Sequence, residues 1–155
     1  MSFLSAFNTS VSGMTAQRQR VNTISENIAN AETTRTPQGG PYRRREVILA
    51  SVANDRTFEE ELLSQDRSVS TSTEVKVVGI VQDERPPILR FEPGHPDANE
   101  EGYVEMPNVN IMEEMVNLMS ANRSYEANTA AFNATKNMVQ SCLLYTSPSP
   151  RDSVG

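Results

Sequence analysis

The chain has 155 residues, 37% of them hydrophobic, with no tryptophan and a formal net charge of −6. That length is one domain's worth of sequence, but the lean apolar fraction and a mean hydropathy of −0.50 argue against a large, dense core. The acidic balance excludes wholesale nucleic-acid binding, because such domains are usually basic. A lone cysteine, Cys142, excludes an internal disulfide, and no zinc-ligand spacing is present. No run approaches the roughly 18 apolar residues of a membrane span, so no lipid insertion is expected. The opening MSFLSAFNTSVSGM lacks the basic and continuous apolar regions of a secretory signal, so no signal cleavage is expected.

Residues 1–32 read as one long helix. Phe7, Met14, Val21 and Ile28 fall at seven-residue intervals, and Val11, Ile24 and Ala31 widen the stripe. This heptad spacing predicts a helix from Phe3 to Ala31, about 43 Å long at 1.5 Å per residue. Gly13 interrupts it at a cost of about 1 kcal/mol relative to alanine, which calls for a close neighbour or a bend there. Thr33, Thr34, Thr36, Pro37, Gly39, Gly40 and Pro41 then form a dense breaker cluster.

Residues 33–107 read as a small β-rich or extended middle. YRRREVILASV predicts a strand, with Arg43, Arg44 and Arg45 as a solvated face. Residues 54–73 form a polar insert with a weak helical patch at FEEELL. EVKVVGIVQD, Glu74 to Asp83, predicts a second strand, which Pro86 and Pro87 end. ILRFEP predicts a short third one, and FEPGHPDANEEGYVEMPNVN reads as turns.

Residues 108–143 mirror the beginning. Ile111, Leu118, Tyr125, Phe132 and Val139 again repeat every seven residues, with Met112, Met115 and Met119 beside them. Asn108 or Asn110 is placed to cap this helix, and Glu113 and Glu114 in its first turn suit the helix dipole. The expected fold is mainly α with a small β-rich middle, its long terminal heptad helices packing together in an elongated molecule. Residues 144–155 contain Pro148 and Pro150, which no helix tolerates.

Both helices carry amides where Glu and Lys are usual in a simple coiled coil. Asn22, Asn27 and Asn30 line the first; Asn117, Asn122, Asn128, Asn133 and Asn137 line the second. Asparagine is a middling helix former, so this composition sacrifices intrinsic stability. Amides and small residues in return allow close approach and uncharged donor–acceptor pairs on several sides. No nucleophile motif, phosphate-binding glycine loop or metal-ligand cluster appears. His95 stands in a turn without the partners that catalysis or a metal would require. No catalytic residue, cofactor site or metal site is expected.

VSGMTAQRQRVNTISENIANAETT resembles the N-terminal signature of the flagellar rod, hook and hook-associated axial proteins, with its N-I-A-N-x-x-T ending at Asn27, Ile28 and Asn30. VNIMEEMVNLMSANRSYEANTAAFNATKNM resembles that family's C-terminal segment, whose A-x-R-S-Y-x-x-N centre stands here with Arg123, Tyr125 and Asn128. FEPGHPDANEEGYVEMPNVN is similar to elements of the proximal rod branch. The likeness covers about residues 3–53 and 74–142. It implies subunits exported unfolded by the flagellar type III export apparatus and polymerised with other rod subunits and with copies of themselves into a periplasmic rod of the basal body. Their packing residues would be the two stripes, from Phe7 to Asn30 and from Ile111 to Phe132. Residues 54–73 and the tail 144–155 depart from the family pattern, and the tail reads as foreign to it. The competing expectation is a coiled-coil adaptor or export chaperone that binds one partner through its terminal helices. A wall hydrolase lacks any catalytic constellation.

Overall fold

The computed structural model describes residues 3–53 and 73–145. The chain runs α1 (Phe3–Ala29), β1 (Arg45–Ala53), β2 (Thr73–Gln82), β3 (Ile88–Phe91), β4 (Tyr103–Met106) and α2 (Ile111–Tyr145). Two long helices thus flank two small antiparallel sheets, β1–β2 and β3–β4. All but Thr73 of the polar insert, with its FEEELL patch, lies outside the described residues, as does the tail beyond Tyr145.

The two helices pack against each other in opposite directions. Phe7 meets Phe132 edge-to-face with ring centroids 4.9 Å apart. Thr129 Oγ1 lies 3.4 Å from the Met14 sulfur. Asn27 bonds Glu114. The partner number falls as the α1 number rises, which defines the antiparallel course. Small residues set the spacing: Ala16 and Ala121 are fully enclosed, and a Cβ on Gly13 would lie 2.9 Å from Asn128 Nδ2. Gly13 therefore answers to a close neighbour. The atom in the way ends a mobile amide side chain, whereas alanine recovers about 1 kcal/mol of helix propensity. Gly13→Ala is accordingly expected to leave the midpoint of thermal unfolding unchanged or raised; a large loss would mean that Asn128 cannot swing aside.

The serines and threonines explain how helices so poor in strong helix formers satisfy their polar groups. Thr9, Ser10, Thr15 and Ser25 on α1, and Ser124, Thr129, Thr135 and Ser141 on α2, donate their hydroxyls to the carbonyl four residues back. Asn110 Oδ1 accepts from the Met112 amide at 3.1 Å and caps α2.

β1 and β2 lie against α1, where Ser12 Oγ accepts from the Val75 amide at 3.2 Å. Their register slips at Ile48/Leu49, so Val78 has no partner on β1 and the strand bulges there. The strict alternation expected through Val75–Ile80 breaks at that point. β4 corrects the sequence expectation, which read residues 91–110 as turns: four residues of that stretch pair with β3. Gly102 makes the intervening turn possible. Its φ is +81°, and a Cβ there would lie 3.0 Å from the Phe91 ring. The described core is small. Its fully buried hydrophobic residues are Ala16, Ile24, Ala31, Val104 and Ala121, three of them alanines. Apolar burial of that size needs support from polar contacts or from other chains.

Candidate functional site

The most enclosed chemistry lies where the end of α1, the start of β1 and the start of α2 meet. Asn27 is 0% exposed and Glu114 1%. The Asn27 amide uses its whole capacity. Its Nδ2 donates to the Arg45 carbonyl at 2.8 Å and to Glu114 Oε2 at 3.0 Å. Its Oδ1 accepts from the Arg45 amide at 2.9 Å and from the Tyr42 hydroxyl at 3.0 Å. The second Glu114 oxygen accepts from Arg44 Nε at 2.8 Å. One amide and one ion pair thereby tie three remote segments together.

Local structure brings these groups in. The breaker cluster closes on itself, with the Tyr42 amide bonding the Thr33 carbonyl and the Thr36 amide bonding the Gly40 carbonyl. That fold-back returns the chain to α1 and delivers Tyr42, Arg44 and Arg45 beside Asn27. Burial raises the Tyr42 phenol above its ordinary pKa, an effect that nearby Arg45 partly opposes. Burial disfavours the Arg44 charge, but the hydrogen bond and charge of Glu114 outweigh it and raise the pKa. Arg45 reaches Glu26 at 3.5 Å and lies 5.9 Å over the Tyr42 ring.

Two expectations are corrected here. Arg44 does not belong to a solvated strand face, since it points inward onto Glu114. Glu114 is not merely a dipole partner at a helix start, because it holds the buried end of that ion pair. Neither signal was visible locally, as the two residues are 70 apart in sequence. At the rim, Arg85 grips Asp83 and lowers its carboxyl pKa to about 2. Any stability this adds is complete above the ordinary aspartate range and fades as pH falls through about 2.

The residues expected to pack divide by position. Ile24 and Asn27 are buried; Phe7, Met14, Val21, Ile28, Asn30, Leu118, Asn128 and Phe132 are half-buried. Val11, Ile111, Met115, Met119, Arg123 and Tyr125 face outward. Met112, at 72% exposure, joins Met115, Val116 and Met119 in a bare apolar stripe on α2. An open hollow of about 590 Å³ lies beside the knot, lined by Arg20, Arg44, Asp83, Arg85, Glu113 and Glu114 among others. Its charged groups are largely engaged with one another. Among the described residues, no group of three or more His, Cys, Asp or Glu side chains could hold a metal. No described helix is long and apolar enough to cross a membrane.

Comparison with known proteins gives the class first. Residues 7–35, covering most of α1 and the turn after it, match the family model described as "Flagella basal body rod protein". Residues 100–144, covering β4 and α2, match "Flagellar basal body rod FlgEFG protein C-terminal". The chain is 42% identical to the flagellar basal-body rod protein FlgC of Borreliella burgdorferi over 147 residues, with 92% of this chain and 97% of the relative covered. It is 44% identical to FlgC of Bacillus subtilis over 148 residues, with the same coverage. It is 37% identical to FlgC of Salmonella typhimurium over 140 residues, covering 90% of this chain and 94% of the relative. The chain belongs to the FlgC family of flagellar basal-body rod proteins.

Proposed function

We infer that the chain is a structural subunit of the flagellar basal-body rod and that it polymerises through its two terminal helices. The supporting observation is the bare stripe Met112–Met115–Val116–Met119, which a solitary two-helix molecule has no use for. Both family models fall largely on the elements that end in these helices. In the rod, α1 and α2 would extend their heptad stripes against neighbouring helices, knob into hole, around an export channel. Each large apolar side chain so buried contributes about 1.5–3 kcal/mol, which offsets the ordering of the segments. The partners on this reading are other rod subunits, copies of this chain and, before assembly, the flagellar export apparatus. The chain would reach the periplasm through that apparatus without signal cleavage. Residues 145–155 lie beyond the C-terminal family model, which stops at residue 144, and would play no part.

The test uses outward residues, so that assembly is separated from folding. Met115→Asp and Met119→Asp are each expected to leave the circular dichroism spectrum and unfolding midpoint of the purified chain unchanged. Each should abolish its incorporation into basal bodies of a flagellated bacterium that lacks its own FlgC. Normal incorporation of both would refute helix-mediated assembly. It would favour an adaptor that binds a single partner elsewhere.

A further inference from the structure

Among the described helices and strands, α2 packs only on α1. Glu114 and Ala121 mark its inner side and are buried. At 3.6 residues per turn, Met112, Met119, Ala130 and Asn137 fall on one line along the opposite side, and all four are exposed. Met115 and Asn133 lie to one side of that line and Val116 and Ala134 to the other, exposed as well. The outer face is therefore built of large, flexible side chains in its first half and of small ones in its second.

Between Glu114 and Lys136 the only charged residues are Arg123 and Glu126. They stand at the middle of the face, about 30° to either side of its line. Both are exposed, and neither ends in an ion pair among the described residues. Arg before Glu is the poorer order for a pair within one helix. Charge and size together choose how a second α2 can lie on this face. A copy running in the same direction and register would set Arg123 on Arg123, methionine on methionine and alanine on alanine. A copy running in the opposite direction sets Arg123 beside Glu126 and the large half on the small half.

We propose that two unassembled copies pair through this face with their α2 helices antiparallel. Met119 of each lies against Ala130 of the other, Met115 against Asn133, Val116 against Ala134, and Arg123 meets Glu126. A dyad makes every contact twice, so the pair is isologous and closes on itself. Its consequence rests on the rod-subunit reading. A rod grows by a heterologous contact repeated in one direction, and an antiparallel pair is not such a contact. Pairing covers the methionine stripe that assembly needs, so the pair and the rod compete for one surface. A single helix-on-helix contact is small. Pairing is therefore expected with a dissociation constant on the order of 10–100 µM, above the dilute range of the unfolding measurements.

The test uses the purified full chain carrying Cys142→Ser. Sedimentation equilibrium should show a monomer–dimer equilibrium. Arg123→Glu and Glu126→Arg should each weaken it roughly tenfold or more by setting like charges together, and the double swap should restore it. Mixing the two single variants should give a heterodimer, because each then meets its opposite. Orientation is read by adding Met119→Cys and Ala130→Cys to the Cys142→Ser chain and oxidising mildly. The two cysteines are about 16 Å apart on one helix, too far to link within a chain. A dimer that grows no further is expected on a non-reducing gel. A chain that stays monomeric to about 1 mM, a double swap that fails to rescue, or a ladder of longer species would overturn the antiparallel pair and leave the rod reading intact. Absence of the Cys142→Ser chain from basal bodies of a host lacking FlgC would overturn the rod reading and the competition with it, while the pair itself stands or falls on the purified chain.

Discussion

Glu114→Ala is expected to lower the free energy of unfolding by about 3–5 kcal/mol, the cost of removing one partner from a buried ion pair. Two donors lose their acceptor at once, Arg44 Nε and Asn27 Nδ2. A domain of this kind has only about 5–15 kcal/mol in total, so the variant should sit near the edge of unfolding. Urea denaturation followed by far-ultraviolet circular dichroism measures the loss. The pair Arg44→Met with Glu114→Met supplies the control. Removing both charges leaves no unpaired ion, so it should cost less than Glu114→Ala alone. A single-variant cost below about 1 kcal/mol would show that the knot contributes no more than an exposed ion pair does.

Asn27→Asp tests the same place through pH. The new carboxylate replaces an amide nitrogen that sits 3.0 Å from Glu114 Oε2. Two carboxylates at that distance cannot both stay ionised comfortably, so one acquires a raised pKa in the folded state. A group with a raised folded pKa binds its proton in the folded chain before it does in the unfolded one. The destabilisation is therefore greatest above that pKa and lessens as pH falls through it toward the ordinary carboxylate range. At neutral pH the expected loss is at least that of Glu114→Ala. Between neutrality and about pH 5, the variant should gain stability relative to the parent chain. A stability gap that stays flat with pH would sink this account.

The sequence was legible where periodicity carries information. The seven-residue spacing of Phe7, Met14 and Val21, and that of Leu118, Phe132 and Val139, located both helices. The alternation in EVKVVGIVQD located β2, and Pro86 and Pro87 marked its limit. β4 was missed because YVEM is only four residues long and sits among prolines and glycine, where turn signals dominate. Its pairing with β3 is a tertiary fact, set by Gly102 and by the Phe91–Tyr103 ring contact at 5.3 Å. The amides point to close packing, yet Asn27 is buried while Asn22, Asn122, Asn133 and Asn137 are exposed, and periodicity does not distinguish Asn27 from Asn22. Only the return of the chain through Tyr42 and Arg45 makes the first a fully bonded centre and leaves the second on the surface. Glu114 was misjudged for the same reason. A carboxylate in the first turn of a helix has an adequate local explanation, and the stronger one lay 70 residues away.

The saturated amide of Asn27 also has a mechanical meaning. Apart from the Phe7–Phe132 contact at one end, the seam draws heavily on alanines, a glycine and hydroxyl side chains, which do little to fix the register of the two helices. Slipping α2 by a single turn would move Glu114 about 5.4 Å along the axis. Arg44 would then lose its buried partner and Asn27 one of its four hydrogen bonds. The knot acts as a detent, a notch that holds the helices at one setting. A chain of subunits under torsion is only as stiff as its softest internal slide, and this subunit has that slide pinned by one side chain.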